Sequence, residues 1–153
     1  MSLEKKLQED LKESMRSGNT DKRTVIRYIR AKIHDEEISQ KAKLDDDSII
    51  ILLGKQAQQR RDSIESFEAG NRHDLAEREK IELEIILKYL PEQMSDQEIS
   101  EFVNRALQDV QASGPQDMGK VMAHIMPTLR GKTDGHKVSK MVSQLLMKRT
   151  GKA

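Results

Sequence analysis

The chain has no cysteine and no tryptophan, and among its 153 residues only two Tyr, two Phe and three Pro. Without cysteine there is no disulfide framework, no zinc–thiolate site and no cysteine nucleophile. With 3% aromatic residues, a β-sandwich lacks the aromatic and β-branched side chains that strands favour. Long apolar runs are missing too. The longest purely aliphatic stretch is Ile49 to Leu53, far short of the ~20 residues that span a bilayer. The N-terminal SLEKKLQEDLKE alternates charge with leucine and has no continuous apolar h-region, so no signal peptide is expected. These features lead to the expectation of a cytoplasmic protein with no membrane contact.

What is abundant is helix-forming material. Charged residues make up 35% of the chain, and Leu, Glu, Lys, Gln, Arg, Met and Ala keep their rotamer freedom on a helix. Apolar residues recur at helical spacing from end to end. Ser2 can cap a first helix carrying Leu3, Leu7, Leu11 and Met15, with Gly18 as its stop. A second helix begins near Asp21 and places Val25, Ile26, Ile29 and Ile33 on one face. Asp45-Asp46-Asp47 opens a third, which stops around Gly70-Asn71. A fourth runs roughly from His73 to Leu90, where Pro91 disfavours helical geometry in the preceding residue.

Ser95 followed by Glu98 forms a capping-box pattern that starts a fifth helix, ended by Gly114-Pro115. Asp117 opens a sixth, closed by Pro127 and Gly131, and Asp134 starts the last. The expected fold is all-α and multihelical: an N-terminal bundle of about four helices over 1–93, then a smaller three-helix subdomain over 94–153.

Catalytic constellations are scarce. Gly131-Lys132-Thr133 looks like the end of a nucleotide-binding loop, but the position that needs the first glycine is Met126, in a helical segment. The residues of His34-Asp35-Glu36-Glu37 and of Asp45-Asp46-Asp47 diverge by about 100° per residue on a helix and do not converge on one ion. The four histidines are scattered, and no serine sits in a nucleophile-elbow pattern. The stretch AEREKIELE reads as a solvated face of alternating sign. No catalytic residue, metal site or cofactor is expected, and the chain is read as a non-enzyme.

Charge is unevenly distributed. From Gly114 to Ala153 there are eight Lys and Arg against two Asp, a local charge of +6, while the rest of the chain carries −5. Such asymmetry suits an anionic partner. Arg23, Arg27, Arg30 and His34 lie at offsets of four, three and four, on one stripe of the second helix. Gln59, Arg60 and Arg61 sit mid-helix in the third. Lys120, Arg130, Lys132, Lys137 and Lys140 cluster around the last two helices. Such rows can track phosphates, because each neutralised phosphate releases counterions. The shortage of rings argues against stacked single-stranded bases and leaves structured RNA, read by shape and backbone. A solvated surface, with the arginines paired to nearby acids, is the competing reading.

The stretches QRRDSIESFEAGNRHDLAEREKIELEIILKYLPEQMS and DMGKVMAHIMPTLRGKTDGHKVSKMV closely resemble the YqeY family of small bacterial proteins. Tyr89-Leu90-Pro91-Glu92-Gln93, Asp117-Met118-Gly119-Lys120-Val121-Met122, and Gly131-Lys132 with Asp134-Gly135 carry most of the likeness. Ala123 departs from it, standing where the family often has a second glycine. The family is similar to the C-terminal tail domain of the B subunit of tRNA-dependent Asp/Glu amidotransferase. That similarity implies a helical N-terminal part, a three-helix C-terminal part and a role in holding tRNA; amide transfer and carboxylate activation belong to other domains. A carbon–nitrogen ligase label with glutamine as amido donor would be inherited rather than intrinsic.

The expected partner is tRNA or other structured RNA, contacted by Gly119, Lys120, Arg130, Gly131, Lys132, Lys137 and Lys140, and by Arg23, Arg27 and Arg30. Asp117 is expected to cap the sixth helix. Gly119 in its first turn would let a phosphate approach or a neighbouring helix pack closely. The alternative is a protein-interaction module that docks on a partner in tRNA aminoacylation or amidation through Met118, Met122, Met126, Met141 and Met147.

Overall fold

A computed structural model describes residues 1–150. Among them are seven α-helices: α1 Leu3–Ser17, α2 Thr20–Gln40, α3 Asp46–Ala69, α4 His73–Leu87, α5 Asp96–Asp109, α6 Met118–Leu129 and α7 Gly135–Thr150. A 3-10 turn, Pro115–Asp117, leads into α6, and no strand occurs among the described residues. The chain divides into two compact units, Met1–Pro91 and the remainder from Glu92 onward.

Local chemistry explains the helix starts. Ser2, Asn19, Asp45 and Ser95 each accept a hydrogen bond from a backbone N–H of the first turn, those of Lys5, Lys22, Ser48 and Glu98. Ser95 and Glu98 complete a reciprocal capping box, which satisfies two otherwise orphaned donors. Asp46 reaches further: its Oδ1 accepts from the Leu3 N–H at 3.0 Å and ties the start of α3 to the start of α1.

Helix ends depart from the sequence reading in three places. α4 stops at Leu87 rather than Leu90, because the Pro91 ring would collide with the carbonyl four residues earlier. The last turn tightens instead, with the Leu90 N–H donating to Leu87 O at 3.2 Å. α5 ends before Gly114-Pro115: Gln111 takes φ 54°, and the Ala112 N–H turns back to Leu107 O at 3.0 Å. Pro127 does not close α6 but lies inside it. The proline removes the bond to Ala123 O, which solvent can satisfy because Ala123 and Pro127 are both exposed. Gly131 makes the actual stop.

In the first unit, Leu7, Ile26, Ile29, Ile49, Leu53 and Ile86 are fully buried at the centre. α3 and α4 pack as a hairpin, α1 lies on α2, and α2 meets α4. Arg60, read from sequence as basic surface, is 9% exposed. Its Nη1 donates to Gln56 Oε1 at 2.9 Å, and it faces Glu79 and Glu82 of α4 at 3.8 Å each. The AEREKIELE stretch is therefore not wholly solvated: it turns two carboxylates inward to meet this guanidinium. In the second unit, Ile99, Val103, Leu107, Val121, Ile125 and Leu129 pack with Val138, Val142 and Leu146 of α7.

Candidate nucleic-acid interface

The basic residues of the second unit are arranged around the corner between α6 and α7. Gly131 adopts φ 82° and is buried, a conformation at which a Cβ would be strained. The segment before α5 clamps this corner. Gln93 Nε2 donates to Gly131 O at 2.8 Å, and the Met94 N–H donates to Lys132 O at 2.8 Å. Asp134 then caps α7, accepting from the His136 N–H at 2.9 Å. These bonds commit the corner backbone to the protein's own groups. Gly131-Lys132-Thr133 forms a helix–helix turn and not a phosphate cradle.

Arg130, Lys132, Lys137 and Lys140 flank the corner. Arg130 and Lys140 are exposed and Lys132 half-buried; none of the three makes an ion pair among the described residues. Lys137 does, placing Nζ 2.9 Å from Asp96 Oδ1. α7 contains no Asp or Glu. Its exposed positions include His136, Lys137, Lys140, Ser143, Gln144 and Lys148, so its outward face is positive or neutral along its length.

Gly119 and Lys120 do not join this cluster. They sit in the first turn of α6, roughly 15 Å along the helix axis from Arg130. A Cβ built on Gly119 meets nothing within 4 Å, so close packing against a neighbouring helix is not why glycine stands there. Asp117 does not cap α6 through its side chain. Its carboxylate accepts from the Ser113 N–H at 2.8 Å and from Ser113 Oγ at 3.2 Å. The Ser113 amide above all, helped by the Ser113 hydroxyl and the Lys120 charge, holds Asp117 below the usual aspartate range. The Asp117 carboxylate is thus turned back to the loop before α6.

Arg23, Arg27 and Arg30 belong to the first unit, as a row along α2. Arg27 is exposed and the other two are half-buried. None pairs with a carboxylate among the described residues; the nearby Lys22 does, meeting Glu13 at 3.4 Å. The row is therefore not an internal salt-bridge ladder. The methionines give a different result: Met118, Met122, Met126 and Met141 are partly buried against the core, while Met147 is 64% exposed. Their helical spacing marks a core edge and not an open groove. No group of three metal-ligating side chains converges among the described residues, and no helix is long and apolar enough to cross a membrane.

Comparison with known proteins gives the chain relatives over nearly all its length. A family described as Yqey-like protein matches residues 4–146. "Altered inheritance of mitochondria protein 41, mitochondrial" of Pyrenophora tritici-repentis is 33% identical over 92% of this chain and 79% of its own length. The proteins of that name from Candida glabrata and Lachancea thermotolerans are 44% and 38% identical, over 56% and 71% of this chain. The matches span 48% and 60% of those two relatives, less than two thirds of either. The names of these relatives overturn the cytoplasmic expectation, since all three are called mitochondrial. Neither the lack of cysteine nor the character of the first residues chooses a compartment. The match over 4–146, with the helical architecture and the motifs around Pro91, Gly119 and Gly131, shows that the chain belongs to the YqeY-like family.

Proposed function

We propose that this chain is a non-catalytic module that holds structured RNA, tRNA foremost, by its phosphate backbone. The observation that carries the reading is the outward face of α7. Lys140 and Lys148 project from a helix without a single acid, and the corner beside it adds Arg130 and Lys132, all four with no ion-pair partner among the described residues; Lys137, on the same helix, is held by Asp96. Unpaired cations on a rigid helix lose no existing salt bridge when they neutralise phosphates. The unpaired row Arg23, Arg27 and Arg30 supports the same reading for the first unit. The resemblance to an amidotransferase tail supplies tRNA as the RNA class. Docking of a protein through the methionines has less support, because four of the five named are packed into the core edge.

Gel-shift titration with total tRNA at two salt concentrations tests the proposal. Affinity is expected to fall with salt, each lost phosphate contact reducing the slope by about 0.7–0.9. Lys132→Glu with Lys140→Glu should weaken binding and flatten the salt dependence by nearly two such contacts. Undetectable binding at low salt, or a double variant that binds like the parent, would sink the idea.

A further inference from the structure

Beyond the α7 face, an open cleft of about 540 Å³ lies in the second unit, lined by Asn104 and Leu107 of α5, Ala112 and Ser113 of the following loop, and Leu145, Lys148 and Arg149 of α7. We infer that this cleft seats one unpaired nucleotide of the bound RNA. The inference rests on the RNA reading above and assigns part of the ligand to a place of its own.

The chemistry of the lining points to a nucleotide. Leu145 is half-buried and offers aliphatic surface that the face of a base can meet, while Leu107 and Ala112, 0% and 3% exposed, add almost none. Asn104 offers an amide at one wall. It donates through Nδ2 to Ser100 O at 3.0 Å, which holds it in place and leaves Oδ1 to accept from a base edge. Lys148 and Arg149 of α7 line the same cleft. Arg149 Nη1 donates to Ala112 O at 3.1 Å, an anchor that orients the rest of its guanidinium fork. Among the described residues, no carboxylate lines the cleft. The nearby Asp117 carboxylate already receives the Ser113 N–H and hydroxyl.

Position adds a second argument. Lys137, Lys140, Gln144 and Lys148 follow one another at offsets of three, four and four, a single stripe of α7. A phosphate chain that follows this stripe away from the corner arrives at the rim of the cleft. The aliphatic surface of Leu145 with one amide and two cations fits a base with its phosphate, and the size lies within the range of small-ligand sites. A duplex is too wide to enter, so the occupant is an end or an extruded nucleotide. Because the lining has no aromatic ring, the gain per base sits at the low end of what stacking platforms deliver.

The test compares three RNA hairpins of one stem sequence by fluorescence anisotropy: blunt, with three unpaired 5′ nucleotides, and with three unpaired 3′ nucleotides. One overhang should tighten binding by about five- to tenfold over the blunt form. Asn104→Ala, a change at an exposed α5 position, should remove most of that gain while blunt-hairpin affinity stays as in the parent. Leu145→Ala should act the same way, with circular dichroism to verify folding. Equal affinity for all three hairpins overturns the cleft and leaves the α7 face standing. An overhang gain that survives both substitutions also overturns it. Failure of every hairpin to bind removes the RNA reading and the cleft together, whereas binding of an overhang form alone supports the cleft and counts against the face.

Discussion

The guanidinium of Arg60 lies 3.8 Å from the Glu79 carboxylate, Nε to Oε2, too far for a hydrogen bond. Glu79 Oε2 is buried and receives no hydrogen bond. Glu82 stands on the other side of Arg60, also at 3.8 Å, and the guanidinium carbon lies 5.1 Å from the Tyr28 ring centroid, with Lys32 over the same ring. One buried cation therefore serves two carboxylates of α4, and together they join α2, α3 and α4. Burial, then the charge of Glu82, pushes the Glu79 carboxyl above its ordinary 4.5, against the opposing pull of Arg60.

The sign of this shift predicts a pH dependence. Folded Glu79 holds its proton above 4.5, where the unfolded chain releases it, so stability falls as pH rises from 4.5 through the folded value. Below that window the penalty is absent. Glu79→Gln is expected to flatten this part of the profile and to leave the protein more stable than the parent at pH 7. Arg60→Ala should instead cost about 2 kcal/mol, less than the ~3–5 kcal/mol of a fully buried pair because both carboxylates keep some solvent. Urea denaturation between pH 4 and 8 measures both; a Glu79→Gln profile parallel to the parent's would refute the assignment.

Tyr89 holds the other end of the first unit. Its hydroxyl donates to Asp10 Oδ2 at 2.5 Å, and Lys6 lies over its ring at 5.4 Å. Burial and then Asp10 push the phenol well above its ordinary 10. The folded chain thus keeps a proton that the unfolded chain loses above pH 10, and stability falls as pH rises past that point. Tyr89→Phe should cost about 1–2 kcal/mol at pH 7 and remove this share of the alkaline decline. Thermal melts at pH 7 and 10.5 would show a parallel loss if the phenol played no part.

Two glycines that look alike in sequence should respond oppositely to alanine. Gly131 sits at φ 82°, where a Cβ costs roughly 1–2 kcal/mol. Gly119 is helical and has open space around its missing Cβ, so Gly119→Ala should stabilise by about 0.5–1 kcal/mol. Denaturation midpoints of the two variants decide the matter; a matching sign would mean that one of the two environments has been misjudged.

Lys137, at the α6–α7 corner, is tied to a carboxylate on another helix, that of Asp96 on α5. Asp96→Asn would release it and remove an acid from the interface, so tRNA affinity should rise by about twofold to fivefold at low salt. Helix α5 should lose about 0.3–1 kcal/mol, because Asp96 also favours its N-terminal dipole. A fall in tRNA affinity without unfolding would argue that Asp96 belongs to the binding surface.

Much of the local geometry around the candidate site was legible because its signals are local. Ser95 with Glu98, Asp134 ahead of α7, and Gly131 at the corner act through bonds within a few residues or through a backbone angle, and their residue types state that chemistry. The fates of Arg60, Lys137 and Asp117 were not legible. Each is decided by a partner on another element or in a preceding loop, and residue type does not say whether that partner arrives. Gln111 was missed for a related reason: glutamine at φ 54° carries none of the glycine or asparagine signal that normally marks a helix stop.

The sequence by itself therefore determined that this protein is all helical, where most of its helices begin, which apolar stripes are buried, and to which family it belongs. Composition, helical period and capping are properties of neighbouring residues, and they persist whatever the rest of the chain does. Tertiary structure decided which charges are spent and which remain. The α3–α4 hairpin withdraws Arg60 into the interior, while α7 leaves Lys140 and Lys148 without a carboxylate partner among the described residues. An ion pair depends on two side chains meeting within a few ångströms, and only the folded chain brings them there.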